Sequence, residues 1–492
     1  MRPRTVAEVA LAVGGVVSGP PGAGAALASR VVIDSRRAAP GDLFVALPGA
    51  RADGHAFVAD AAARGAVAAL VGRERGRPEV ADAPERPGGS GGSPVLVEVD
   101  DPGLALAALA ADERGRTAAT VVAITGSSGK TCTKDLTAAV LSTRLRVTAS
   151  PASYNNEIGL PLTLLALDEG TEAVVTEMGM RGPGQIRSLC DIARPQVGVV
   201  TNVGVAHIEL LGSREAIREA KAELPASLPA DGVAVLNADD ASARSYAGRT
   251  PARSVLFGLG PGADVLAEDV ELEPATGRAS FVLVAPDGRA RARLAVPGEH
   301  MVANALAAAA VGWALGVPVA DAAAALSTAR VSGGRMDVFE TADGVRVIDD
   351  AYNANPDSMA AGLKALRRMA AGGRTVAVLG EMAEIGPIAP EEHARVGELL
   401  ARLGIDALIA VGPGAAPIAA AAAREGLEPD LIVACEGPEA AVEAVRSLAG
   451  PGDLVLVKAS RVARLDRVAR VLRGAEAAEP GPADLLPRGG GS

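Results

Sequence analysis

At 492 residues the chain exceeds what one ordinary hydrophobic core organises, and two to four domains of roughly 100–200 residues each are expected. Apolar residues make up 49% of it but aromatic ones only 2%, so its cores must be packed from Ala, Val and Leu. A net charge of −11 without a long Lys/Arg block argues against a nucleic-acid or anionic-membrane surface, and leaves room for one local positive pocket.

Arg2 and Arg4 ahead of the apolar residues 9–13 have the outline of a short secretory signal, but Glu8 interrupts it. Thr5 and Glu8 instead form a capping-box pattern that opens a short helix, which Gly14 and Gly15 end. No apolar run approaches the ~20 residues that span a bilayer, so a soluble, cytoplasmic chain is expected. Cys132, Cys190 and Cys435 lie far apart and form no CxxC, which fits a reduced compartment rather than a disulfide framework or a zinc site. Asp34, Ser35 and Arg36, followed by residues 40–47 and 53–55, read as short strands and a helix of a small α/β unit. The Pro, Gly and Ser of residues 84–94 mark a flexible surface insertion.

From about residue 118 apolar strands alternate with helices. Strands are predicted at 120–125, 172–178, 196–202 and 232–237, each running into a polar or glycine-rich junction. Such alternation implies a parallel sheet covered on both faces, with ligands at the carboxyl ends of the strands. The first strand leads into Thr125, Gly126, Ser127, Ser128, Gly129, Lys130 and Thr131. Its glycines allow a tight turn that brings backbone amides to phosphate oxygens. Lys130 can neutralise terminal phosphates, the Thr131 hydroxyl can ligate magnesium, and the following helix points its positive end at the same place. The commoner phosphate-loop pattern wants glycine at 124, where this chain has Ile124.

Ala-rich helices are predicted at 301–315 and 319–329. After Gly333, Gly334 and Arg335 a second α/β series begins, with strands at 345–349, 374–379, 406–411, 431–435 and 453–457. The Ala/Glu/Pro/Gly-rich tail from 475 reads as disordered. The expected architecture is therefore α/β in three domains. These are a small N-terminal unit (1–103), a central parallel-sheet domain carrying the phosphate loop (104–329) and a C-terminal Rossmann-like domain (330–474), followed by a tail (475–492).

Several residues sit where chemistry would be done. Glu177 closes a strand on the same sheet as the phosphate loop, a suitable place to hold a nucleotide's magnesium. His207, just past another strand, is either a satisfied structural histidine or a catalytic or metal-binding one. Lys221 belongs to a helix capped by Ser213 with interspersed Glu and Arg, which by itself predicts a solvated, ion-paired face and no special role. Arg335, at the domain junction, can reach across a cleft to a γ-phosphate. Asp350, after a strand, can hold ribose hydroxyls, although Asp350, Asn353 and Asn355 are also ordinary turn residues. Asn304 opens the first Ala-rich helix, where capping is the simpler role. Lys458, Ser460 and Arg461 end the last strand and offer cations to an anionic group.

Taken in order, these segments resemble the Mur ligases, ATP-dependent amide-forming enzymes of bacterial cell-wall precursor synthesis. The resemblance runs from Asp34 to about Arg473. It includes the short phosphate loop with its missing first glycine, Asn155 and Asn156 with the following Glu157, Glu177, residues 202–207, Lys221 and Asn304. Within the family, residues 349–356 and 379–386 resemble the branch that joins D-alanyl-D-alanine to UDP-N-acetylmuramoyl-tripeptide. The branch adding the third amino acid carries a Tyr-Ala-His-Thr-Pro-like string and an Asp-Asn-Pro-Arg-like segment, and this chain has neither. Folate-polyglutamate ligases share the loop but lack a comparable leading domain.

The resemblance implies ATP and two magnesium ions as cofactors, held by Thr131, Glu177, His207 and a carbamylated Lys221. Because only a desolvated, neutral lysine reacts with carbon dioxide, it also implies that Lys221 faces the cleft rather than water. Lys130, His207, Lys221 and Arg335 would form the catalytic set. Residues 125–131, Asn304, Arg335 and Asp350 would hold the nucleotide. Ser35 and Arg36 would hold the UDP end of the substrate, and Asn155, Asn156, Asn353, Asn355 and Lys458 the peptide parts. A monomer with no nucleic-acid or membrane partner is expected.

Overall fold

The computed structural model describes residues 1–49, 52–75 and 95–474. The expected insertion at 84–94 and the tail from 475 lie outside the described residues. The N-terminal capping box is present. Thr5 caps the helix Val6–Val13, the Glu8 carboxylate accepts from the Thr5 amide at 2.8 Å, and Gly14 closes the helix at φ 65°. A five-stranded sheet follows in the order Val16–Ser18, Val95–Val99, Ala68–Gly72, Asp42–Val45, Arg30–Val32, parallel except for its first pair.

The helix Pro102–Gly115 runs across the expected first boundary at 103. Its Leu106 and Leu109 share a core with Val6 and Leu43 on the leading side and with Leu160 and Ile186 on the central side. Arg4 and Glu113, each 1% exposed, form an ion pair at 2.5 Å that fixes the chain's start to this helix. Their burial requires the pairing, since either charge alone would be left desolvated.

The central sheet has nine strands. Six of them, in the order Val147–Ala149, Ala173–Glu177, Thr120–Thr125, Val197–Val200, Val233–Asn237 and Arg253–Gly258, are mutually parallel. The inner four, from Ala173–Glu177 to Val233–Asn237, read as near-continuous apolar runs because both faces are covered. The sheet then continues through Val265–Leu272, Arg278–Ala285 and Gly288–Pro297, an antiparallel meander that sequence reasoning did not anticipate. A search for apolar runs passes over such strands. In the last of them buried Ala292, Leu294 and Val296 alternate with exposed Arg291 and Arg293, the signature of a half-buried strand. The helices His300–Ala314 and Val319–Leu326 match the Ala-rich stretches, and Ala305 and Ala307–Ala310 are buried.

The C-terminal domain is a six-stranded sheet in the order Asp337–Glu340, Arg346–Asp349, Leu454–Lys458, Thr375–Leu379, Ala407–Val411, Ile432–Cys435, parallel beyond its first pair. The carboxyl ends of Thr120–Thr125 and Ala173–Glu177 therefore meet the loops of this second sheet across one cleft. No described helix is long and apolar enough to cross a membrane. Cys132, Cys190 and Cys435 are all buried and free, and burial pushes the Cys132 thiol up to about 11 and that of Cys190 to about 12.

Candidate active site

The phosphate loop leaves the strand Thr120–Thr125 and enters the helix Lys130–Leu141. Gly126 (φ 151°) and Gly129 (φ 78°) adopt backbone conformations closed to ordinary side chains, and a Cβ at either would collide with Thr201 or Asn304 respectively. The loop is clamped from the next strand. The Asn202 side-chain oxygen accepts from the Ser127 and Ser128 amides at 3.1 and 2.9 Å, and the Thr201 hydroxyl donates to the Ser128 carbonyl at 2.6 Å. The Gly204 amide donates to the Ser127 hydroxyl at 2.8 Å. Thr125 is fully buried, and its hydroxyl donates to the Met178 carbonyl at 2.9 Å.

Among the described residues Lys130 bonds only the loop's own Gly126 carbonyl, at 2.7 Å. Burial lowers its pKa first of all, with Glu177 and Glu384 opposing and Arg335 reinforcing that shift, so the charges of all three reach Lys130. The Thr131 hydroxyl donates to Glu177 at 2.7 Å, and the other Glu177 oxygen accepts from the Asn155 side chain at 2.8 Å. A hydroxyl and a carboxylate side by side at the end of a phosphate loop suit a hard divalent cation, which binds through one or two protein oxygens and retains phosphate and water. Among the described residues no group of three or more His, Cys, Asp or Glu converges into a complete protein cage. Phosphate oxygens would have to supply the remaining ligands.

His207 follows the strand Val197–Val200 at φ 67°, and its Nδ1 lies 2.7 Å from Glu384 of the C-terminal domain. Burial lowers its pKa, with Glu384 opposing, and Lys130 and Lys221 both contribute. Lys221 overturns the solvated-face expectation drawn from its helix. It is 1% exposed, and burial, followed by the nearby Lys130 charge, drives its pKa well below the ordinary value. No described hydrogen bond or ion pair engages its amine. The signal was in the periodicity: buried Ile217, Ala220, Lys221 and Leu224 are spaced as one helical stripe, with Glu215, Arg218 and Glu219 turned away.

Arg335 stacks on the Tyr352 ring with its guanidinium carbon 4.1 Å from the centroid, and its Nε is buried without a partner among the described residues. An orphaned buried guanidinium nitrogen is what an anionic ligand would satisfy. Tyr352 also bonds Ser153 of the central domain, and Arg461 lies over the same ring at 5.4 Å.

The remaining expected residues divide into two groups. Asn304 is buried in its helix, five positions past the cap Glu299. Its side-chain oxygen accepts from Thr133 at 3.3 Å, so it backs the phosphate loop rather than capping the helix. Asn355 caps the helix Pro356–Arg368 and also extends its Nδ2 to the Ser127 carbonyl at 3.5 Å, joining the two domains at the loop. Asp350 accepts from buried Lys458 at 2.5 Å and from the Met336 amide at 3.2 Å, while Lys458 also bonds the Asn353 carbonyl. The Lys458 ammonium is thus committed inside the protein, and Asn353 is exposed beside it. Asn156 accepts from the Gly159 amide at 2.8 Å and shapes the start of the helix Gly159–Leu165. Ser35 is buried, and Arg36 pairs with Asp34 at 2.9 Å, both in a short 3-10 turn after the strand Arg30–Val32 and outside the phosphate-loop cluster.

Three contributors were missed as site residues: Asn202, Glu384 and Tyr352. Asn202 ends a strand next to the loop, a position that could have flagged it. Glu384 and Tyr352 lie in the segments 379–386 and 349–356 that carried the resemblance, but their partners across the domain interface are not encoded in any local pattern.

With this geometry in place, comparisons with known proteins give a consistent result. The family model for the Mur ligase middle domain matches residues 124–312. The model described as Mur ligase, glutamate ligase domain, matches 334–461, and that described as Mur ligase family, catalytic domain, matches 28–114. The UDP-N-acetylmuramoyl-tripeptide–D-alanyl-D-alanine ligase of Mycobacterium leprae (strain TN) is 44% identical over 97% of this chain and 99% of its own length. A solved structure of MurF from Acinetobacter baumannii superposes with a TM-score of 0.82 at 32% identity, covering 96% of this chain and 99% of that one. A MurF ligase from Thermotoga maritima in complex with ADP gives 0.75 at 31% identity, over 90% and 97% of the two chains.

Proposed function

The chain belongs to the Mur ligase family, and on that premise we propose that it joins D-alanyl-D-alanine to UDP-N-acetylmuramoyl-tripeptide at the expense of ATP. The observation that carries this reading is similarity over nearly the whole length, 97% of this chain, to a ligase of that activity. The cleft supports it, because a phosphate loop on one sheet is faced by the loops of a second.

The chemistry follows from the poor electrophilicity of a carboxylate. A terminal carboxylate oxygen of the tripeptide attacks the γ-phosphorus, the bond to the β–γ bridging oxygen breaks, and ADP and an acyl phosphate result. The amides of 126–131 and the Lys130 ammonium hold the phosphates, and Arg335 neutralises the charge that moves onto the transferred group. The dipeptide amine then attacks the acyl carbon. The tetrahedral adduct expels phosphate, the nitrogen loses its proton, and the amide remains. Magnesium, when bound, supplies charge neutralisation at the phosphates, and Thr131, Glu177 and His207 would hold it. We assign Lys221 a carbamate that helps hold a second ion. Burial, then the Lys130 charge, lowers the pKa of the Lys221 amine and so favours the neutral form that reaction with carbon dioxide requires.

Ser35 and Arg36 would receive the UDP end, with Asn155 and Asn156 nearer the reacting carboxylate. Asn304 supports the nucleotide loop from behind. Asp350 would serve the ribose, fixed in place by Lys458. Asn353, exposed at the cleft, and Asn355 at its helix cap would face the incoming dipeptide. Closure of the C-terminal domain keeps water from the acyl phosphate.

The test is ADP release with UDP-muramoyl-tripeptide and, separately, D-alanyl-D-alanine, meso-diaminopimelate, L-lysine or glutamate. Turnover is expected with the dipeptide alone; turnover with a single amino acid and not the dipeptide would sink the reading. For Lys221, intact mass and the bicarbonate dependence of activity are the measurements. A Lys221→Ala variant with full activity would refute the carbamate.

A further inference from the structure

The loop that follows the strand Thr375–Leu379 is built as a rigid finger. His393 Nε2 accepts from the Met382 amide at 2.8 Å, and the Ser460 hydroxyl accepts from the Ala383 amide at 2.8 Å. Both supports belong to the C-terminal domain, so the finger is shaped by its own domain. Its tip, Glu384, sits at φ 62°, a left-handed conformation that costs a non-glycine residue about 1–2 kcal/mol. The tip meets the central domain beside Glu209 and His207, with Arg181 Nη2 3.9 Å from the Glu384 carboxylate. Gly386 lies against Glu209 so closely that a Cβ would approach the Glu209 Cβ to 2.9 Å, and the Glu384 carbonyl accepts from the Glu209 amide at 3.4 Å. The Glu384 carboxylate reaches His207 Nδ1 at 2.7 Å. His207 is itself left-handed at φ 67°. Two residues in a costly conformation therefore face each other across a domain boundary and are joined there by a hydrogen bond.

A carboxylate can only accept, so Nδ1 must carry the hydrogen and Nε2 is left as the ring's lone pair. We propose that Glu384 is a positioning residue for His207: by docking, the C-terminal domain sets the histidine's tautomer and ring orientation, and the central domain alone does not complete its own site. This rests on the proposed role of His207 as a ligand for the nucleotide's metal. A carboxylate behind a ligating histidine typically sustains ten- to a hundredfold in metal affinity or activity.

The experiment compares Glu384→Ala with Glu384→Gln, which retains an acceptor oxygen. Manganese binding in the presence of ADP is read by electron paramagnetic resonance, together with kcat, the KM for ATP and the thermal midpoint. The Ala variant is expected to bind manganese ~10-fold or more weaker and to lose a similar factor in kcat, with the KM for ATP within about twofold and the midpoint unchanged. The Gln variant should recover most of both losses. Wild-type manganese affinity in the Ala variant, or equal losses in both variants tracking a lowered midpoint, would overturn the proposal. Manganese binding needs neither tripeptide nor dipeptide. A wild-type protein that fails to use D-alanyl-D-alanine would thus refute the proposed function while leaving this comparison readable.

Discussion

The two walls of the cleft are made differently. On the central side the phosphate loop and Glu177 are held from within one domain, as Asn202 holds two loop amides and Asn155 and Thr131 hold Glu177. On the C-terminal side Asn355, Tyr352 and Glu384 spend a hydrogen bond on the opposite wall. The phosphate loop and Glu177 are preorganised within one domain, whereas His207 and the groups facing it acquire their partners by docking. A ligase that must admit two substrates and then exclude water gains from this division. The phosphate site can form before closure, and the acceptor side is completed by it.

Substitutions can break or sharpen that contrast. The largest effect is expected at Lys130→Ala, which removes the cation at the transferred phosphate but only one bond, to Gly126. ADP release should fall ~10³-fold or more with the thermal midpoint preserved. Next comes Asn202→Ala. Leaving the Ser127 and Ser128 amides without this acceptor should cost about 1–3 kcal/mol in urea unfolding and raise the KM for ATP roughly tenfold. Asn355→Ala loses a helix cap and should cost about 1 kcal/mol of stability, with a smaller change in the KM for ATP than Asn202→Ala. If the two asparagines affected ATP binding equally, the distinction between a self-sufficient wall and a docking wall would fail.

The last effect lies away from ATP binding and concerns stability against pH. Burial pushes the Asp349 carboxyl up to about 6. A carboxyl whose pKa is raised by folding binds its proton more tightly in the native state. Its contribution is complete below the unfolded value near 4 and is lost as pH rises through about 6. Asp349→Asn should therefore stabilise the protein by up to about 3 kcal/mol at pH 7.5 and leave it unchanged near pH 3.5, as urea titrations at the two pH values would show.

Four inner strands of the central sheet and the phosphate loop were legible because their signals are local: an apolar run, two glycines, then Lys130 and Thr131. The parallel strands Val147–Ala149 and Arg253–Gly258, short or partly polar, were not anticipated. Glu177 and His207 were visible as polar residues at strand ends. Lys221 was misjudged from composition, since the Glu and Arg around it suggested a wet helix while its spacing from Ile217 and Leu224 placed it on the buried stripe. The meander at 265–297 escaped because half of each strand is solvated. Glu384 was beyond reach for another reason. Its partner lies 177 positions earlier in the chain, and only the packing of two sheets brings them together.

Cys132 occupies the first turn of the helix behind Lys130, and its thiol is pushed up to about 11. At pH 7 only about one molecule in 10⁴ would carry the reactive thiolate, and that one is enclosed. Alkylation of Cys132 should then report how often this helix opens, much as amide exchange would. A nucleotide seated on the loop should slow that reaction, giving a chemical clock for occupancy of the site that needs no turnover.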